Sequence, residues 1–190
     1  MMATHPQLAI SKAAQDMMKK EQTKRRIQEA AWQLFRENGY QDTTTRHIAE
    51  RAEVAAGTVF SHFPTKLDLL KAGLSQQIDH VLAAANTDCP ETGPKEKLMH
   101  FAGYLYAFYC LEADFSRELF RVLIWQQEEF EQQLETFRQR LFSHEPSYDQ
   151  QYAAVMMDCY FMTLITGLNA EKPDAAFMLN QLEKKLDVLQ

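Results

Sequence analysis

Residues 43–66 read TTTRHIAERAEVAAGTVFSHFPTK, and the reading of this stretch decides the fold. Ile48, Ala49 and Ala52 fall on one face of a helix over Thr45–Ala52. Glu53-Val54-Ala55 makes a turn, and a second short helix follows over Ala56–His62. Val59 and Phe63 point inward from it, which leaves Thr58, Phe60, Ser61 and His62 outward. Two short helices across a tight turn, the second with an outward face of small, polar and aromatic side chains, form a helix-turn-helix. Such a face suits entry into a DNA major groove.

The flanks carry local signals that agree. Thr44 is the expected N-cap of the first short helix, its hydroxyl accepting a first-turn N–H. Thr45 and Arg46 then stand at an exposed helix start where a phosphate can be bound, and Arg46 can reach a guanine edge. Pro64 stops the second helix, Thr65 caps the next with Asp68 three residues on, and Lys66 stands in its first turn, aimed at phosphate. Upstream, Ile27, Ala30, Ala31, Leu34 and Phe35 form the buried stripe of a helix expected over about Thr23–Asn38, ended by Gly39 in a left-handed conformation. The cations Lys19, Lys20, Lys24, Arg25 and Arg26 are expected at the start of that helix, where they oppose its dipole and phosphate contact would offset the penalty. Residues 1–22 lack apolar periodicity and read as an arm, frayed or partly helical. Trp32 lies off the stripe, and a structural role is favoured for it over a ligand role.

Composition narrows the class. Six Gly and six Pro in 190 residues, with 46% hydrophobic residues, point to a mostly helical protein with a sizeable core. Residues 1–71 hold eleven Lys/Arg against eight Asp/Glu, whereas residues 72–190 hold nine against eighteen; the net charge is −6. A basic head on an acidic body fits nucleic-acid contact at one end. No apolar run is long enough for a bilayer, no secretory leader is evident, and three scattered cysteines form neither a disulfide framework nor a metal ribbon; a reducing cytoplasm and no membrane contact are expected. No nucleophile elbow, zinc-protease helix or phosphate loop occurs, so neither an enzyme nor a cofactor is expected.

A fourth helix, Lys66 to about Ala85, has Leu67, Leu70, Leu74, Ile78, Val81 and Leu82 as its apolar face and is long enough to pass from a head domain, residues 23–71, into a second domain, residues 72–190. Gly73 in its middle costs about 1 kcal/mol relative to Ala unless a close approach requires it. After the Pro- and Gly-rich break at residues 86–94, helices are expected over about 95–112, 115–126, 127–143, 149–169 and 174–189. Aromatic residues crowd this region: Phe101, Tyr104, Phe108, Tyr109, Trp125 and Tyr160, with Thr163, are candidate pocket residues for a small apolar or aromatic effector, weighed against plain core packing. Leu179, Leu182, Leu186 and Leu189 follow a two-heptad seam; on the preceding helix Tyr160, Phe161, Leu164 and Leu168 form a stripe, and Thr163 with Gly167 four residues on would let another helix approach closely. Burial against their own domain and a dimer interface are equally compatible with that pattern.

The segment from about Thr23 to Leu74 resembles the DNA-binding domain of the tetracycline-repressor (TetR/AcrR) family of bacterial transcription regulators. The resemblance is carried by AAWQLFRENGY at 30–40, TTTRHIAERAEV at 43–54, GTVFSHF at 57–63 and the helix start at Lys66. It implies an all-α chain of about nine helices, with a three-helix helix-turn-helix domain joined by a long helix to a ligand-binding and dimerisation domain. It makes Thr45 and Arg46 groove or phosphate contacts, Ala56, Gly57, Thr58, Phe60, Ser61 and His62 the reading surface, and Lys66 a phosphate anchor. It also tips the leucine stripes toward a two-fold interface. Three positions depart from the family pattern: Phe60 stands where Tyr is usual, Glu53 where Gly is usual, and Ala55 where a capping Ser is usual. The expected activity is that of a homodimeric, ligand-responsive repressor on a palindromic double-stranded operator. The rivals are a small-molecule-binding protein or enzyme with a vestigial head, and a structural DNA-binding protein without inducer.

Overall fold

In a computed structural model, described for residues 6–90, 93–124, 131–143 and 147–189, the chain is all-α. Among the described residues there are nine helices and no strand: α1 (Pro6–Asn38), α2 (Thr45–Arg51), α3 (Ala56–His62), α4 (Lys66–Asn86), α5 (Pro94–Leu111), α6 (Ala113–Leu123), α7 (Glu131–Leu141), α8 (Gln150–Leu168) and α9 (Ala175–Asp187). The chain divides into two compact units, Met1–Gly73 and Leu74–Gln190, with the boundary inside α4.

The first unit buries Ile27, Ala30, Ala31, Leu34 and Phe35 of α1 with Ile48 and Ala49 of α2, Val59 of α3, and Leu69 and Leu70 of α4. Burial of each large apolar side chain is worth roughly 1.5–3 kcal/mol, which is how four helices hold two as short as seven residues. Helix α1 starts at Pro6, not near Thr23 as expected. Nothing between Pro6 and Gly39 breaks a helix, and Ala, Gln, Met and Lys propagate one without needing a buried face. Thr23 accordingly does not cap; its hydroxyl donates to the Lys19 carbonyl at 2.9 Å. The Lys19–Arg26 cations therefore lie in the middle of α1, and the dipole penalty expected for them does not arise. Gly39 ends α1 with φ +82°, and Glu53 sits in the turn after α2 at φ 54°, the strained conformation its position implies. The Cβ that any other residue would place at Gly73 lies 2.8 Å from Cε3 of Trp32. Gly73 is what lets α4 and the Trp32 ring meet, and Trp32 has the structural role.

In the second unit α5 packs on α8 and α9, and α6 and α7 close over α5 and α8. Leu98, Phe101, Leu105, Tyr106, Met156, Tyr160, Leu164, Leu182 and Leu186 make the centre of its core. The Tyr106 and Tyr160 rings stack at 5.2 Å, and the Tyr106 hydroxyl donates to the Tyr160 carbonyl at 2.8 Å. Arg117 of α6 caps the end of α8, donating to the Leu168 and Ala170 carbonyls at 2.8 and 3.2 Å. Asp149 and Asp174 cap the starts of α8 and α9. No group of metal-ligating side chains occurs among the described residues.

Candidate nucleic-acid interface and the cavity of the second unit

The outward face of the first unit is built from the bottom by its caps. The Thr44 side chain accepts from the His47 N–H at 3.2 Å and starts α2. Thr65 and Asp68 bond reciprocally, Thr65 N–H to the Asp68 carboxylate at 2.9 Å and Asp68 N–H to the Thr65 hydroxyl at 3.1 Å, and start α4. Helix α3 has no side-chain cap, because Ala55 offers no acceptor. Arg51 and Glu37 tie α2 to α1 through two bonds of 3.2 and 2.9 Å, and the Arg51 guanidinium holds the Glu37 carboxyl below its usual range.

On this frame Thr45 is half-buried at the start of α2, while Arg46 is exposed and, among the described residues, pairs with Glu50 of its own helix at 3.1 Å. A pair this exposed contributes little and leaves the guanidinium available. On α3, Val59 is buried, whereas Ala56, Gly57 and Ser61 are exposed, Thr58 and His62 half-buried, and Phe60 keeps 50% of its surface. A Cβ at Gly57 would meet no atom of the protein within 4 Å. Glycine in a helix costs about 1 kcal/mol relative to Ala, and nothing in the chain's own packing requires it there. Of the mid-helix cations of α1, Lys19, Arg25 and Arg26 line a groove with Gln22, Thr23 and Glu29.

Lys66 is placed differently from the expectation. Its ammonium donates to the carbonyls of Tyr40 at 2.7 Å, Gln41 at 3.1 Å and Thr43 at 3.1 Å, and lies 4.3 Å from the Tyr40 ring centroid. An ammonium has three N–H groups, so all of them are engaged on the α1–α2 loop and none is left for a phosphate. The same loop is held from the other side by buried Thr43, whose hydroxyl lies 3.0 Å from the Leu34 carbonyl and 2.8 Å from that of Gly39. Thr43 opens the quoted stretch, but its role here has no signature in spacing.

The second unit holds a cavity of about 460 Å³ lined by α4, α5, α6, α7 and α8, including Ser75, Ile78, Leu105, Tyr109, Phe120, Phe137, Tyr160 and Phe161. Of the candidate pocket residues, Tyr109 and Tyr160 reach it. Their hydroxyls pair with each other, and burial pushes both well above the ordinary phenol range, so they stay protonated. Phe101 is buried in the core, Phe108 packs half-buried beside it, and Tyr104 is exposed with its hydroxyl on Asp88 at 2.8 Å. The Thr163 hydroxyl accepts from Lys185 at 2.8 Å, away from this cavity. Trp125 lies outside the described residues. Sequence reasoning missed Arg140 of α7, which lines the cavity.

The leucine seam is mostly internal. Leu164, Leu168, Leu182 and Leu186 are buried in their own core, and Leu179 and Leu189 pack half-buried against it. Gly167 does admit a neighbouring helix, but the neighbour is Met178 of the same chain, whose side chain fills the place of a Cβ. A heptad stripe looks the same whether it faces α5 or a second subunit, which is why spacing left the choice open. The apolar side chains that α8 and α9 leave uncovered are others, chiefly Val155, Met162 at 57% and Phe177 at 61% exposure.

Residues 27–72 match the family described as bacterial regulatory proteins, tetR family. Over 54 residues the chain is 48% identical to YvkB of Bacillus subtilis (strain 168), an HTH-type transcriptional regulator; the match spans 28% of this chain and 29% of that protein. Over 175 residues it is 24% identical to the HTH-type transcriptional repressor KstR of Rhodococcus jostii (strain RHA1), covering 87% of this chain and 82% of that one. Among solved structures, FadR of Thermus thermophilus, a TetR-family transcriptional repressor in complex with lauroyl-CoA, superposes with a TM-score of 0.59 at 25% identity, covering 87% of this chain and 92% of FadR.

Proposed function

We propose that this chain, whose residues 27–72 match the tetR family of bacterial regulatory proteins, is a homodimeric repressor whose hold on a palindromic DNA operator is released by a small ligand. The observation that carries the DNA reading is the outer face of α3: a glycine its own fold does not need and a phenylalanine left half in water. Both make sense against a surface supplied from outside, Gly57 for close approach of the backbone and Phe60 for apolar contact such as a thymine methyl. Thr58, Ser61 and His62 supply polar groups beside them, and Thr45 and Arg46 the grip on the flanking backbone. Lys66 serves by fixing the loop that aims α2.

The same reading makes the second unit the effector and dimer domain, and the protein a cytoplasmic one. That KstR and FadR are transcriptional repressors supports the sign of regulation, and the lauroyl-CoA held by FadR supports an effector with a large apolar part. Two α3 helices about 34–36 Å apart would then engage successive major grooves. A ligand preferring another arrangement of the second unit would shift the population away from that spacing.

Gel shift with the DNA upstream of the chain's own gene, followed by selection from random sequences, tests the proposal. A salt-sensitive shift on a palindrome is expected, with Thr58→Ala altering the preferred sequence. No enriched site in the selection would overturn it.

A further inference from the structure

The cavity of the second unit is apolar on most of its wall, yet Arg140 of α7 is part of that wall. Its guanidinium carbon lies 5.9 Å from the centroid of the buried Phe101 ring. Its Nη1 is buried and has no hydrogen-bond partner. Arg138, two residues earlier, is spent on Glu131 and Glu135 at 2.8 and 2.9 Å, whereas Arg140 makes no ion pair among the described residues. Asp79 of α4 also lines the cavity, but it is exposed, and no ion pair joins it to Arg140 among the described residues. A buried cationic donor without an acceptor is costly, and an arginine beside an aromatic ring is not paired by that ring alone. The rest of the wall carries no second cation: Leu105, Leu119, Phe120, Phe137 and Phe161 offer apolar surface, Ser75, Gln132, Gln133 and Thr136 offer neutral polar groups, and the Tyr109–Tyr160 pair is already satisfied within itself.

We propose that this cavity takes a monocarboxylate with an apolar body, its carboxylate held by the planar guanidinium of Arg140 and its body laid among the phenylalanines. The inference rests on reading the second unit as the effector domain and names the chemical class of that effector. A guanidinium presents two parallel N–H groups to a carboxylate, a fit that neither an amide nor an alcohol reproduces. The volume suits a small organic molecule, since ligand sites occupy about 300–1,000 Å³.

Titration calorimetry of the full-length protein with decanoate and with its neutral counterpart decanamide, at one pH above the carboxylate range, tests this. Decanoate is expected to bind roughly tenfold or more tightly than decanamide, the factor expected for a charge-assisted bond. Arg140→Gln should remove that preference while leaving decanamide binding within about twofold, and Arg140→Lys should restore part of it. Helical circular dichroism matched to the parent confirms that each variant is folded. Equal affinity for the two probes, a preference that survives Arg140→Gln, or no binding of either probe would overturn the proposal. Operator gel shifts on the same preparations keep the two readings apart. A specific shift without carboxylate preference defeats the ligand class alone, and absence of any specific shift defeats the regulator itself.

Discussion

Replacing Lys66 by Met keeps the length of the side chain and removes its charge, and the result separates a loop clasp from a phosphate anchor. In the structure the ammonium bonds three carbonyls at 2.7, 3.1 and 3.1 Å and sits over the Tyr40 ring. A hydrogen bond to a charged group is worth about 1.5–3 kcal/mol and a cation–π contact about 0.5–1 kcal/mol. One ammonium supplies all of these, the site is half-exposed, and water can replace part of the loss. The expected cost is therefore about 2–3 kcal/mol rather than the sum. Urea unfolding of the full-length protein should show the loss in the transition that reports the first unit, with hydrogen exchange accelerated at the amides of residues 40–48. DNA binding should weaken because α2 is no longer aimed, while the dependence on salt stays as steep as in the parent. An unchanged unfolding transition together with a salt slope shallower by about one ion would refute the clasp and restore the phosphate anchor.

Four other outcomes follow from particular contacts. Ala55→Ser supplies the missing cap of α3 and Glu53→Gly relieves the φ of 54°, so each should stabilise the first unit by about 1 kcal/mol in thermal unfolding, and a loss from either would contradict the local geometry. Gly73→Ala places a methyl 2.8 Å from the Trp32 ring and should destabilise by about 1–3 kcal/mol despite the better helix propensity of Ala; a gain would mean that the ring moves freely. In the homodimer proposed above, Phe177→Glu with Met162→Glu should give a monomer by sedimentation while the fold is kept, and an intact dimer would place the interface elsewhere. In an NMR titration the Glu37 carboxyl should deprotonate below an ordinary glutamate, and Arg51→Gln should return it to the usual range. Because that folded-state pKa is depressed, its contribution is present above the unfolded value of 4.5 and fades as pH falls through the folded one.

The elements were legible in the sequence wherever the signal is local. Thr44, Gly39, Pro64 and the Thr65–Asp68 pair act within four residues of themselves, so spacing alone places α2, α3 and the start of α4. The carbonyl clasp of Lys66 went unread because its acceptors lie 23 to 26 residues earlier, where only the folded path of the loop brings them to it. The first turns of α1 went unread for the opposite reason: a solvated helix has no buried stripe to detect. A small part of the cavity was legible through its aromatic content, since Tyr109 and Tyr160 were singled out. Arg140 was not, because a charge among the polar residues of α7 acquires meaning only when its helix is laid over Phe101.

Helix α4 carries consequences that its apolar stripe does not announce. Its first turn holds the α1–α2 loop through Lys66, and its later residues Ser75, Ile78, Asp79 and Leu82 line the cavity. In the regulator proposed above, an effector therefore touches the helix whose other end aims α2. Two of the three Lys66 bonds are already 3.1 Å long. A displacement of only about 0.5 Å takes such a contact past the range of a hydrogen bond. Control of DNA affinity in that regulator would then need no large swing of α4. A shift that loosens the clasp leaves Thr44, Thr45 and Arg46 on an unpinned loop, and the entropy of re-ordering that loop then opposes operator binding.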